Sequence, residues 1–149
     1  MTEQTAPRKR VALVCSQFTM QSAFALLILA LNSARLGYET MIYFTFEGLK
    51  MIRPGYLARL QYIPTGPEQT THSVEELTAK LRNTMDAKDI PYIEDMLEMA
   101  QLEGVRLLAC KTSVDLFDLN KSDFIDGVEI MVAEDFMKKA AGSDMHMQF

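Results

Sequence analysis

Residues 104–115 read Gly-Val-Arg-Leu-Leu-Ala-Cys-Lys-Thr-Ser-Val-Asp, and the fold turns on that stretch. Val105–Cys110 is a short, nearly unbroken apolar run, the pattern of a strand buried on both faces of a parallel sheet. Thr112-Ser-Val-Asp115 sets a hydroxyl residue three positions ahead of a carboxylate, a capping-box pattern that opens a short helix. A buried strand running straight into a helix is half of a strand–helix–strand crossover. Gly104 stands where a preceding helix would stop.

Working outward, the same alternation recurs. Upstream, a helix begins near Pro91, a favoured first-turn residue, with Ile93, Met96, Leu97 and Ala100 inward. Before it, Ser73-Val-Glu-Glu76 is a second capping box, opening a helix with Val74, Leu77, Leu81 and Met85 on one face. Nearer the N-terminus, Val11–Cys15 reads as a strand, Met20–Leu36 as a helix closed by Gly37, and Thr40–Phe46 as another buried strand. Glu47–Thr71 is a looser connection rich in Gly and Pro, within which Leu57–Ile63 fits either a turn of helix or a short strand. Downstream, Val128–Val132 reads as the last strand. Ala133, Phe136, Met137, Ala140 and Ala141 give the stripe of a final helix. The expected fold is a single-domain three-layer α/β/α sandwich with a mostly parallel sheet and right-handed crossovers. Residues 1–10 read as a polar N-terminal tail, 11–141 as the domain, and 142–149, which lacks periodicity, as a frayed C-terminal tail.

Charge and composition narrow the function. The chain has 149 residues, 15 Lys+Arg against 20 Asp+Glu, and a net charge of -5, a balance that disfavours a sequence-blind nucleic-acid binder. Two cysteines make no disulfide framework and fit a reducing compartment. The N-terminal residues do not fit a secretory signal. The longest wholly apolar stretch, Ala23–Leu31, falls far short of the ~20 residues that span a bilayer. It suits a helix covered on most sides, and a subunit interface would supply the cover, so a homo-oligomer is expected.

Ligands of open parallel sheets sit beyond the carboxyl ends of the strands. The turns there are Cys15–Thr19, Thr45–Gly48 and Cys110–Ser113, and they hold both cysteines of the chain. Cys110 has the better setting. A helix N-terminus ahead and Lys111 beside it both favour thiolate, the nucleophilic form, and the N–H groups of Thr112–Val114 would face an anionic sulfur. A buried structural cysteine fits the same position equally well. Cys15 has no cap or cation after it and reads as structural, with a second thiol role open. Both should lie on one edge of the sheet, without a resting disulfide. Candidate binding residues are Lys111, Thr112, Ser113, Thr45, Glu47 and Gly48, with Glu47 either an acid/base or a solvated rim residue.

Other chemistries find little support. G-x-G-x-x-G and G-x-x-x-x-G-K-[ST] are absent, so no nucleotide or flavin cofactor is expected. His72 lies in a polar loop and His146 near the end, away from either thiol. Cysteine and histidine spacing matches no zinc site, and no metal is expected. The 11 methionines read mainly as core filler, Met145-His-Met147 being the one local Met/His cluster.

Four stretches then carry a resemblance: Tyr43-Phe-Thr-Phe-Glu-Gly-Leu49, Ile90–Ala100, the 104–115 block, and Phe124-Ile-Asp-Gly-Val-Glu129. Together the chain resembles the DsrE/DsrF-like family of small sulfur-carrier proteins, especially its DsrE2-type branch. The resemblance implies a flavodoxin-like sandwich, oligomeric assembly and cytoplasmic sulfur relay, with sulfur carried on Cys110 as a persulfide or thiosulfonate. It also implies partners: TusA-like carriers, rhodanese-like proteins and, in sulfur oxidisers, a heterodisulfide-reductase-like complex. Such a sulfurtransferase-like carrier need not turn over alone. The competing expectation is a non-catalytic binding or assembly module of the same fold with Cys110 merely packed.

Overall fold

The computed structural model describes residues 6–67, 69 and 72–149. Strands β1 (Arg10–Cys15), β2 (Glu39–Phe44), β3 (Arg106–Cys110), β4 (Glu129–Met131) and β5 (Met145–Gln148) form one parallel sheet in the order β4-β3-β2-β1-β5. Helices α1 (Met20–Arg35), α2 (Val74–Ala87), α3 (Ile93–Leu102), α4 (Lys111–Leu116) and α5 (Ala133–Ala140) connect them. From β1 to β4 the chain steps across the sheet in one direction, so right-handed crossovers place α1, α3 and α4 on one face. It then doubles back to β5 and leaves α5 on the other. The result is the expected α/β/α sandwich of flavodoxin-like kind.

Alternation along the strands sorts the core. Val11, Leu13, Cys15, Ile42, Phe44 and Leu107 pack with Leu26, Leu27, Met96 and Leu97 in the larger layer. Ala12, Met41, Tyr43, Leu108 and Cys110 face the other way, under Phe136 of α5. α1 is capped as its sequence suggests: the Thr19 hydroxyl accepts from the Ser22 N–H, and Gly37 takes the left-handed φ of 83° just beyond the helix. Its inner side is fully buried, yet Ile28 and Leu29 are 38% and 41% exposed. Ile93, Met96, Leu97 and Ala100 of α3 all point inward.

Several expectations change. Residues 145–148, expected to fray, form β5, and β1 begins at Arg10 rather than Val11. The Arg10 N–H donates to the Asp144 carboxylate at 2.8 Å, the Asp144 N–H to the Arg10 carbonyl at 2.8 Å, and the Phe149 N–H to the Val14 carbonyl at 2.7 Å. The free edge of β1 is thereby paired, which a four-residue stretch of local sequence does not announce. The expected stripe on α2 buries only Met85. Val74, Leu77 and Leu81 are half-buried, and Leu81 borders an open apolar hollow of about 260 Å³ shared with Phe24, Tyr62 and Ile90. On α5 only Phe136 is fully buried, since a helix of eight residues seats one large side chain on the sheet, and Met137 stays 59% exposed. The Glu47–Thr71 connection contains a 3-10 helix at Phe46–Ile52 and a short one at Leu57–Arg59, followed by chain without regular secondary structure through Ile63. Thr70 and Thr71 lie outside the described residues.

Candidate functional site

Cys110 closes β3 and is itself the N-cap of α4 (φ -64°, ψ 116°). The helix therefore opens two residues earlier than the Thr112 capping pattern implies, and its first turn wraps the sulfur. Ser113, buried one turn in, and Thr45, just past β2, have hydroxyls 2.9 Å apart, and the Ser113 hydroxyl also accepts the Phe46 N–H at 2.9 Å. Tyr43 completes the cup. It sits on β2 opposite Leu108, yet its hydroxyl donates to the Met131 carbonyl on β4 at 3.1 Å. Met131 lies opposite Cys110, so the phenol crosses the whole width of β3 beside the thiol. Phe136 of α5 fixes the ring by stacking at 4.1 Å and 4°.

These neighbours set the charge of the sulfur. Burial pushes the Cys110 thiol up, but hydrogen bonding with the Tyr43 hydroxyl, the Ser113 N–H and the mutually bonded Ser113–Thr45 hydroxyl pair outweighs it and leaves the thiol below its ordinary value. The Tyr43 phenol is driven up in return, by burial first and then by its hydrogen bond to Cys110 and that group's negative charge. Only 7% of Cys110 is exposed. The cup thus holds the Cys110 sulfur, its thiol lowered, among neutral polar groups.

The other expected residues divide. Ser113 and Thr45 join Cys110. Lys111 does not: its ammonium bonds Asp115, one turn along the exposed side of α4, a pairing that i,i+4 spacing favours. Thr112 is exposed on the same side. Glu47 forms an ion pair with Lys50 on the rim. Gly48 lies against Cys15, where a Cβ would come 2.1 Å from the Cys15 carbonyl oxygen. Cys15 is wholly buried, its thiol donates to the Gln17 carbonyl at 3.4 Å, and burial pushes that thiol up to about 12. Cys15 pairs with Phe44 and Phe44 with Ala109, so both thiols sit at the expected edge but with β2 between them. They also face opposite layers of the core. Both are free. Among the described residues, no three His, Cys, Asp or Glu side chains converge as a metal site would require, and no helix is long and apolar enough to cross a membrane.

The sequence profile of the DsrE/DsrF/DrsH-like family matches residues 7–148. The chain belongs to the DsrE/DsrF/DrsH-like family. Within this family it groups with the DsrE2-type branch: it is 31% identical over 153 aligned positions to the sulfur carrier protein DsrE2 of Allochromatium vinosum, covering 93% of this chain and 96% of that protein. It is also 27% identical over 143 positions to the uncharacterized protein YrkE of Bacillus subtilis, covering 87% and 88%. Among solved structures, the YchN protein of E. coli superposes with a TM-score of 0.63 at 18% identity, over 96% of this chain and all of that one. BT1422 of Bacteroides thetaiotaomicron follows with 0.55 at 11% identity, over 93% of this chain and 94% of that one. At such identities the structural matches establish the DsrE-like fold alone.

Sequence reasoning missed Tyr43 as part of the site. Its hydroxyl is the one polar group among the inward side chains of Met41–Phe44, and a buried tyrosine needs a partner. That signal was present, but which strand supplies the partner depends on register.

Proposed function

We propose that this chain is a sulfur carrier that holds sulfane sulfur as a persulfide on Cys110. The observation that carries the reading is the cup itself: the Tyr43, Ser113 and Thr45 hydroxyls gather at one thiol, and hydrogen bonding there holds it toward thiolate. The name of the A. vinosum relative supports it. In loading, the Cys110 thiolate attacks the outer sulfur of a donor persulfide. The donor's S–S bond breaks, its thiolate leaves and takes up a proton, and Cys110 carries the sulfur. In discharge, a partner thiolate attacks that outer sulfur and Cys110 departs as thiolate. A stabilised thiolate is the better leaving group, so the donors that ready Cys110 for attack also release it. A thiosulfonate adduct would add a sulfonate group to a sulfur that is only 7% exposed, whereas a persulfide adds a single atom, so persulfide is favoured.

Sulfur-trafficking proteins are the partners this implies: TusA-like carriers, rhodanese-like proteins and a heterodisulfide-reductase-like complex, met in the cytoplasm. The test exposes wild type, Cys110→Ser and Cys15→Ser to polysulfide, thiosulfate and tetrathionate, followed by intact mass. A reductant-labile mass gain in wild type and Cys15→Ser, absent from Cys110→Ser, is expected: one sulfur from polysulfide or from thiosulfate with loss of sulfite, and an S2O3 group from tetrathionate with loss of thiosulfate. Loading of Cys110→Ser to the same extent would overturn the assignment. A Cys110 that alkylates only on unfolding would favour a packed cysteine in an assembly module.

A further inference from the structure

Past β2, Phe46 takes a left-handed φ of 51°, a conformation that costs a bulky residue and that Asn or Gly would adopt readily. Its ring gains no burial in exchange, being 52% exposed. It leans instead on Phe117, itself 41% exposed, with centroids 5.3 Å apart. Between the rings and the Phe46–Ile52 helix lies a cleft of about 180 Å³, lined also by Leu49, Lys50, Arg53 and Leu119. That volume is below the ~300–1,000 Å³ of a cofactor or small-molecule pocket and suits a single medium-sized side chain. The charges at the cleft are unequal. Glu47 neutralises Lys50, while Arg53 has no carboxylate partner among the described residues and rests on Tyr56, 4.6 Å from the ring centroid, with Arg59 on the same ring at 5.1 Å. In a chain of net charge -5 this is a local excess of positive charge. The cleft adjoins the nucleophile: the Phe46 N–H bonds the Ser113 hydroxyl that bonds Cys110.

We infer that this cleft docks the thiol-bearing segment of a partner protein, one that seats an apolar side chain between Phe46 and Phe117 and sets a carboxylate against Arg53. The inference rests on the carrier reading, to which it adds the kind of acceptor. A strained, exposed aromatic beside the reactive sulfur does little for the folded chain alone. As an anchor site with a cation at its edge, it would select a segment that is apolar and acidic next to its cysteine.

The probes are 2-pyridyl disulfides of acetyl-Glu-Leu-Cys-amide, acetyl-Lys-Leu-Cys-amide and acetyl-Glu-Gly-Cys-amide, with that of 2-mercaptoethanol as reference. The Cys110 thiolate attacks the cysteine sulfur, the S–S bond to the pyridine breaks, and pyridine-2-thiolate leaves, protonates and is read by absorbance. Each rate is divided by that of the same protein with the reference probe. At low salt the Glu-Leu peptide should outpace the Lys-Leu peptide about fivefold, the upper range for an exposed charge pair, and the Glu-Gly peptide about tenfold, as for burial of one aliphatic side chain. Arg53→Gln should erase the first preference and Phe46→Asn the second. Equal normalised rates in wild type, or preferences that survive both substitutions, would overturn the docking cleft. Selectivity that emerges only on dilution would overturn it too, assigning the cleft to a second copy of the chain. A Cys110 inert to the reference probe would sink the carrier reading and the cleft together, whereas a reactive Cys110 with flat selectivity sinks the cleft alone.

Discussion

Tyr43 has one phenolic proton and two takers, the Met131 carbonyl and the Cys110 sulfur. While Cys110 is a thiol, its S–H can point to the phenol oxygen and the phenol proton stays on Met131. On ionisation that proton serves the sulfur. Tyr43→Phe removes this donor, so the Cys110 thiol should move back up toward its ordinary value. The pH profile of iodoacetamide alkylation should shift alkaline, with the rate at pH 7 falling about tenfold. An unmoved profile would show that Tyr43 only packs. Cys15 gives the opposite sign. Its folded thiol stays protonated to about 12, while the unfolded chain ionises from about 9. Between those values the unfolded state binds fewer protons, so stability is intact below about pH 9 and falls up to tenfold in folding constant per pH unit above it. Urea melts at pH 8 and pH 10.5 should show the loss in wild type and a smaller one in Cys15→Ala. At this scale the position of Cys110 was legible because an apolar strand pattern ends on the thiol just ahead of a helix-opening pattern, which sets it at the carboxyl edge of the sheet. Lys111 misled, since neighbourhood in sequence says nothing about which carboxylate a flexible ammonium will find.

Among elements, the Phe46–Ile52 helix is the one the site depends on, and Gly48 lets it settle onto the end of β1. Its N–H closes on the Thr45 carbonyl at 2.9 Å, while its Cα passes so near the Cys15 backbone that no side chain fits. The obstacle is backbone, which cannot swing aside. Gly48→Ala should therefore cost at least about 2 kcal/mol in denaturant melts, and it should slow Cys110 alkylation as Thr45 is displaced. A variant with wild-type stability would disprove the tight seat. Elements read from periodicity came out close to their expected bounds: α1 and α3 have long apolar stripes and glycine stops. β5 was missed because Met145, His146, Met147 and Gln148 are too few to show alternation. Only the open side of β1 makes them a strand. The start of α4 was misjudged for a related reason: the backbone turns as soon as β3 ends, and the N-cap is Cys110, a residue type that does not mark a helix start in sequence.

For the whole molecule, the outer side of α1 sets the expected assembly. Ile28 and Leu29 stand exposed on a helix whose stretch Ala23–Leu31 offers water no polar group. Light scattering at micromolar concentration should give a mass above the 16.9 kDa of one chain, and Leu29→Glu should lower it. A monomer in wild type would rule out this face as an interface. The layered architecture was readable because strand and helix alternate, while the number and order of strands were not, since pairing is decided between segments far apart in sequence. The placing of the two thiols on opposite sides of that sheet has a kinetic consequence. With β2 and a layer of backbone between them, neither sulfur can serve as resolving partner to the other. On the carrier reading each chain is then a vessel with a single slot, unable to empty itself or to park its charge in an internal cystine. Unloading must be second order, quickening with acceptor concentration, and a vessel left waiting among oxidants depends on a thiol from outside the chain to rescue it before the irreversible rungs of sulfur oxidation.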